Sequence, residues 1–366
     1  MKYEFNSREI MVSTSSKPRI VFLDYLRVIA CFMVILVHSC EFFYLGDGGV
    51  SFRLPSDRAW VAWIDGALRE AVPLFVMASS YLLVPLTGST SEFFKRRMSR
   101  VFIPFVVWSV LYAALPVMFG TVQGDIFERL TRLTYTFNED SGHLWFIYML
   151  IGVYLTMPII SPWLTVVSRR GEQAFLVLWF ISTFWGYLQP ALGDIWGKAL
   201  WNDFHTLYYF SGFIGYVVLA HYIRQYVKWS AGKTIAVALP LIAAGYILTA
   251  GIFYKHAGES GDYAYCEQSW NFCTANVALM TLGCFLLIRL IRCRIPMVYT
   301  PVKAVSKVSY GIYLMHIFVL GFVYELLSPY LSTPVAIFSI AAVTFIICIG
   351  ICLALSPFKF SRWIIG

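Results

Sequence analysis

Charge is scarce in this chain. Asp, Glu, Lys and Arg make up 13% of its 366 residues, against the roughly 25% of an ordinary soluble domain, and that excludes a water-facing globular fold of this size. The motifs of phosphate chemistry are missing too. Without a Gly-rich phosphate loop or a Walker sequence, the chain is not read as an ATP-driven pump. It has no Cys-x-x-Cys and no His-Glu-x-x-His, so no metal is expected. No internal repeat is visible, which sets aside solenoids and propellers. The polar start, MKYEFNSREIMVSTSSKPR, leads into an apolar run without a small-residue cleavage site, so that run reads as a retained signal-anchor.

What the chain has in abundance is apolar sequence, 59% of all residues. Runs of about 20 apolar residues, the length that crosses a bilayer as helix, recur from end to end. Ten spans are predicted, near 20–44, 60–87, 101–121, 143–165, 173–191, 205–222, 232–254, 271–291, 304–327 and 333–356. The predicted fold is therefore an all-α polytopic membrane bundle: a cytoplasmic tail over 1–19, a transmembrane domain over 20–356 and a cytoplasmic tail over 357–366, with no further soluble domain. Basic residues give the orientation, because cytoplasmic loops carry the excess of Lys and Arg. With both termini inside, 20 of the 28 basic residues fall on inner segments, six on outer loops (Arg53, Arg58, Arg129, Arg132, Lys198 and Lys255), and Arg27 and Arg69 lie within spans. The net charge of +8 is thus inner-face basicity, and no nucleic-acid partner is expected. Of eight cysteines, six lie in or beside spans; Cys266 and Cys273 share one outer loop, where they can either pair or stay free.

Ionisable residues inside a membrane cost about 2.5–3.5 kcal/mol each at mid-depth, so they face the bundle interior and mark function. They concentrate in the first two spans. Arg27 and His38 are 11 residues apart; at 100° per residue both lie on one helix face, separated by about 16 Å along the axis. Asp24 sits three residues before Arg27 and Glu41 three after His38, placing an acid beside each. The second span brings Asp65, Arg69 and Glu70 ahead of Pro73, which permits a kink. His316 and His143 fall in the same outer half as His38. Packing also accounts for a lone intramembrane His, and the aromatic belt at the interface accounts for His143, Trp145 and Tyr148. Two titratable groups on one face, each with its own carboxylate, are harder to explain that way.

These residues resemble a known family. LDYLRVIACFMVILVH is similar to the Arg-x10-His signature of the acyltransferase-3 family, and other blocks follow in the family's order: REAVPLFVMASSYLL, KRRMSRVFIPFVVWS, HLWFIYMLIGVYLTMPII and SYGIYLMH. The likeness spans roughly residues 20–356. It departs at Ser79-Ser80-Tyr81, where the family has Ser-Gly-Tyr. The resemblance implies a multi-pass enzyme of a bacterial-type cytoplasmic membrane, an O-acyltransferase and most commonly an O-acetyltransferase. It would move an acyl group from cytoplasmic acetyl-CoA, or another acyl-CoA, to a hydroxyl of a cell-surface glycan or lipid-linked sugar. It also implies that Arg27, His38 and Arg69 matter.

A mechanism follows in which the pantetheine arm of CoA covers the distance from Arg27 to His38. Arg27, with Arg96 and Arg97 of the basic inner loop, holds the phosphate end of the donor. His38 acts as general base or as nucleophile, Glu41 orients it, and Arg69 stabilises the oxyanion. His143, Trp145, Tyr148 and His316 are the expected acceptor-binding residues. The alternative is a secondary transporter or a flippase of a lipid-linked glycan, which also places titratable residues in a bundle.

Overall fold

Among the described residues, seven helices are long and apolar enough to cross a bilayer, or eight if one bent pair counts as a span. The computed structural model describes residues 19–137 and 139–366; the expected amino-terminal tail, with Lys2, Arg8 and Lys17, lies outside them apart from Arg19.

The described chain opens on α1 (Val21–Glu41), then a small hairpin, β1 (Leu45–Gly46) and β2 (Gly49–Val50). Its turn is Asp47-Gly48, and Gly48 takes φ +87°, a left-handed conformation that glycine adopts without strain. The second predicted span is split into α2 (Asp57–Gly66) and α3 (Ala71–Leu83). Pro73 explains the break, because its ring cannot pack onto the carbonyl of Arg69, four residues back. Next, α4 (Thr90–Arg97) and α5 (Ile103–Met118) form one rod through a π-turn at Met98–Phe102. Pro104 again supplies the reason: it displaces the carbonyl of Arg100, and the Ile103 N–H bonds to Met98, five residues back.

A short α6 (Ile126–Arg132) precedes α7 (Trp145–Val166); α8 (Arg169–Ser182) and α9 (Trp185–Leu192) are bent by 43°. The first half of the predicted sixth span over 205–222 is loop with a 3-10 turn at Tyr208–Phe210, and its α-helix, α10 (Ile214–Tyr226, 13 residues), starts only at Ile214. Gly212 at φ +78° stops a helix from starting earlier. The remainder is α11 (Ala231–Glu259), α12 (Tyr263–Cys266), α13 (Ala275–Ile288), α14 (Pro296–Leu327) and α15 (Thr333–Leu355). Among the described residues, the stretches predicted as ten spans thus form seven long apolar helices, one bent pair, one split pair and the short α10.

Lipid tails are as apolar as leucine, so helices in a membrane associate through close approach and buried polar contacts. The pairing of α11 with α13 shows this. A Cβ on Gly245 would fall 2.5 Å from the Asn276 carbonyl oxygen and one on Gly283 2.7 Å from that of Ala238, while Asn276 Nδ2 donates to Thr249 Oγ1 at 2.7 Å. The hub is α1, packed against α3, α14 and α15, with Leu26, Ala30 and Ile35 fully buried. Residues 357–366 dock on the bundle, where Trp108 Nε1 donates to the Ile364 carbonyl at 2.8 Å. Cys266 and Cys273 are both free thiols.

Candidate active site

At the carboxyl end of α1, His38 Nδ1 lies 2.8 Å from Glu41 Oε2. The carboxylate accepts from Nδ1–H, so in a neutral ring Nε2 carries the lone pair. Two further imidazoles complete a cluster. His316 of α14 lies 5.2 Å from His38 between ring centroids, and His143, just before α7, lies 5.1 Å from His316 and 6.3 Å from His38. His316 donates Nδ1–H to the Tyr313 carbonyl at 2.5 Å, which fixes its tautomer as well. The Nε2 atoms of His143 and His316 are buried without a partner among the described residues. Hydroxyl contacts hold the elements together: Tyr112 donates to the Leu314 carbonyl at 3.0 Å and Tyr313 donates to the carbonyl of His143. Of the described residues, none form a group arranged to hold a metal ion.

At the opposite end of α1, Asp24 is held mainly by residues other than Arg27. It takes two hydrogen bonds from Arg19 at 2.6 Å, one from Tyr299 at 2.7 Å and one from Ser306 at 2.8 Å, whereas Arg27 comes no nearer than 3.9 Å. The Arg27 charge is largely spare. It lies close enough to Arg97 for the two charges to interact. Arg97 is stacked 5.9 Å over Phe93 and 5.8 Å over Tyr154 and keeps a buried Nε without an acceptor. Two guanidinium groups set together repel unless an anion lies between them, and they suit a phosphate. Arg96 is placed differently, in an exposed pair with Glu92 at 3.3 Å, though it borders a hollow of about 180 Å³ shared with Arg97.

Arg69, in the turn between α2 and α3, forms a buried ion pair with Asp65 at 2.5 Å and lies 3.8 Å over the ring of Trp270. Its other neighbours are on the same side as Glu41: Tyr44, just past α1, donates to Glu267 at 2.6 Å, and Arg69 and Glu41 are near enough for their charges to interact. Arg69 also borders an open cavity of about 1000 Å³, lined in part by the 193–213 loop and the segment from Tyr263 to Thr274. There Lys198 pairs with Asp203, and its hydrogen bond and charge hold that carboxyl below the usual carboxylate range. His205 stacks on Trp185 at 3.7 Å; burial, reinforced by Lys198, holds its imidazole below the usual value.

The structure therefore gathers His38, Glu41, His143 and His316 at one end, with Arg69 alongside, and Arg27 with Arg97 at the other. Trp145 stacks on Phe272, which lines the large cavity, at 5.1 Å. Tyr148 faces elsewhere, against Phe105 and Phe137, and lines a separate apolar hollow with Ser109. Sequence reasoning missed Trp270, Glu267 and His205, which the folding of loops brings in. It also missed the buried pair of His221 with Glu172 at 2.7 Å, whose partners are 49 residues apart.

A family model described as an acyltransferase domain matches residues 20–353, nearly the whole of the described bundle. No curated protein and no solved structure matches the chain.

Proposed function

The chain belongs to the acyltransferase-3 family, and from that premise we propose that it is an O-acyltransferase moving an acyl group, acetyl first among them, from cytoplasmic acyl-CoA to a hydroxyl of a cell-surface glycan or lipid-linked sugar. The observation that carries the reading is the His38–Glu41 contact at 2.8 Å, at the other end of one helix from the spare charge of Arg27. Both termini are then cytoplasmic, in a bacterial-type cytoplasmic membrane, and Glu41 opens to the outer side. No feature of the site favours the transport alternative.

Arg27 and Arg97 bind the phosphates of the donor at the inner end, with Arg96 at the rim. The pantetheine arm follows the roughly 16 Å to His38. His38 Nε2 takes the proton of the acceptor hydroxyl as its oxygen attacks the thioester carbonyl. The carbon–sulfur bond breaks, and the proton passes to the departing CoA thiolate. Glu41 holds the imidazole in the required tautomer and stabilises the imidazolium. Arg69 balances the oxyanion. His316 and His143 offer unpartnered acceptor nitrogens to the incoming hydroxyl, and Trp145 supports the cavity wall.

Arg27→Ala tests the donor end. A hydrogen bond to a charged group contributes about 1.5–3 kcal/mol, so acetyl-CoA affinity should fall roughly 10- to 100-fold. Asp24 keeps Arg19, Tyr299 and Ser306, so the thermal midpoint should hold. Isothermal titration with acetyl-CoA checks this; parental affinity in the Ala variant would remove the phosphate role. Arg27→Lys should recover only part, because an ammonium cannot form the bidentate fork.

A further inference from the structure

We infer that the open cavity of about 1000 Å³ bordered by Arg69 and the 193–213 loop is the binding site for a neutral oligosaccharide segment of the acceptor. The inference rests on the acyltransferase reading and adds to it both a place and a chemical class.

Size comes first. Pockets that enclose drug-sized ligands run from roughly 300 to 1000 Å³, and this one sits at the top of that range, too large for a single small alcohol. The chemistry of the wall comes second. Aromatic faces alternate with hydrogen-bonding groups of both kinds. Trp185 and Tyr263 provide flat apolar surface; His205, Lys198 and Glu267 provide donors and an acceptor. Sugar rings present the same alternation, with C–H faces that pack on aromatic rings and hydroxyl edges that both donate and accept.

Charge decides between a neutral sugar and an anionic one. Lys198 is matched by Asp203 and Arg69 by Asp65, while Glu267 accepts from Tyr44. No excess positive charge remains to recognise a carboxylate or phosphate, in contrast with the unmatched Arg97 at the other end of the bundle. His205 contributes a directed donor: Nδ1 accepts the Leu207 N–H at 3.3 Å, which in a neutral ring leaves Nε2–H.

Position connects the cavity to the chemistry. Arg69 and Tyr263 both line it, and Tyr263 is near enough to Glu41 to feel its charge. The cavity is at the same end of the bundle as His38, since Val50, in the hairpin after α1, donates to the Gly261 carbonyl at 2.8 Å. A chain of sugars in it can bring one hydroxyl toward the imidazole while the rest is held by the loop.

The test is Trp185→Ala in cells whose surface glycans are read by mass spectrometry, with acetyl-CoA binding and the thermal midpoint measured on the purified protein. Loss of an aromatic stacking partner should lower glycan acylation about two- to tenfold, with donor affinity and midpoint as in the parent, and Trp185→Phe should restore most of it. Lys198→Met, at the half-buried rim, should lower acylation severalfold and guards against a Trp185 variant that fails to fold. Parental acylation in folded Trp185→Ala and in Lys198→Met would overturn the acceptor site and leave the enzyme reading standing. A parent that acylates no glycan would remove both.

Discussion

His38→Ala is expected to lower acyl transfer by about 10² to 10⁴-fold, the usual contribution of a positioned general base, while acetyl-CoA binds as in the parent. The structure supports this separation. The His38 side chain is 15% exposed and its one hydrogen-bond partner among the described residues is Glu41, so truncation strands no buried group and leaves Arg27 and Arg97, at the far end of α1, untouched. The loss should therefore fall on kcat with little change in donor affinity. Glu41→Gln should give a smaller loss in the same direction, because the amide still holds the ring but no longer balances the imidazolium. Rapid-quench mass spectrometry of the parent distinguishes the two roles open to His38: an acylated His38 identifies a nucleophile, and an unmodified one during turnover identifies a base. Near-parental transfer by His38→Ala would reassign His38 to packing and make His316 the first candidate to replace it.

Arg69→Ala should be the most destabilising single change at the site. Asp65 is fully buried and its neighbour Arg69 nearly so; removing one partner of such a pair typically costs about 3–5 kcal/mol, because the other charge is left uncompensated. The stacking of Arg69 on Trp270 at 3.8 Å is lost as well. The variant should show a strongly lowered thermal midpoint in detergent and reduced abundance in the membrane. The double variant Asp65→Asn/Arg69→Ala removes the stranded charge and should recover most of the midpoint. Its transfer activity then decides the chemistry: a recovered fold without recovered activity places Arg69 at the oxyanion, whereas recovery of both makes it structural. A folded Arg69→Ala of parental stability would contradict the burial argument.

Much of this site was legible where it depended on a single helix. Arg27 and His38 share a face because they are 11 residues apart, and the contacts of His38 with Glu41 and of Arg69 with Asp65 are three- and four-residue spacings. The split of the second span and the π-turn both sit just ahead of a proline, Pro73 and Pro104, and only the first was anticipated. What depends on packing between distant segments was not legible. His143 and His316 were placed by depth in the same outer half as His38, but their contact with it needs α14 beside α1 and the start of α7 across from both. Asp24 does lie beside Arg27, at 3.9 Å, but it is held mainly by Arg19, whose guanidinium reaches both carboxylate oxygens. The large cavity is built by loops, where helical periodicity carries no information, and His205 was assigned to a span because aromatic loop sequence resembles an apolar helix in composition. Similar composition also hid the brevity of α10, which the positive φ of Gly212 ends at its start.

The central claim is vectorial transfer, with the donor entering at Arg27 and the acceptor at His38. The measurement that tests it most directly uses sealed membrane vesicles of known orientation carrying the host's surface glycan, given acetyl-CoA labelled in the acetyl group on one face only. The account predicts that label reaches the glycan on the opposite face when donor is supplied to the cytoplasmic side, that none does when it is supplied to the outer side, and that His38→Ala vesicles transfer none from either. Label incorporated only from outer-face donor, or equally in vesicles lacking the protein, would contradict it.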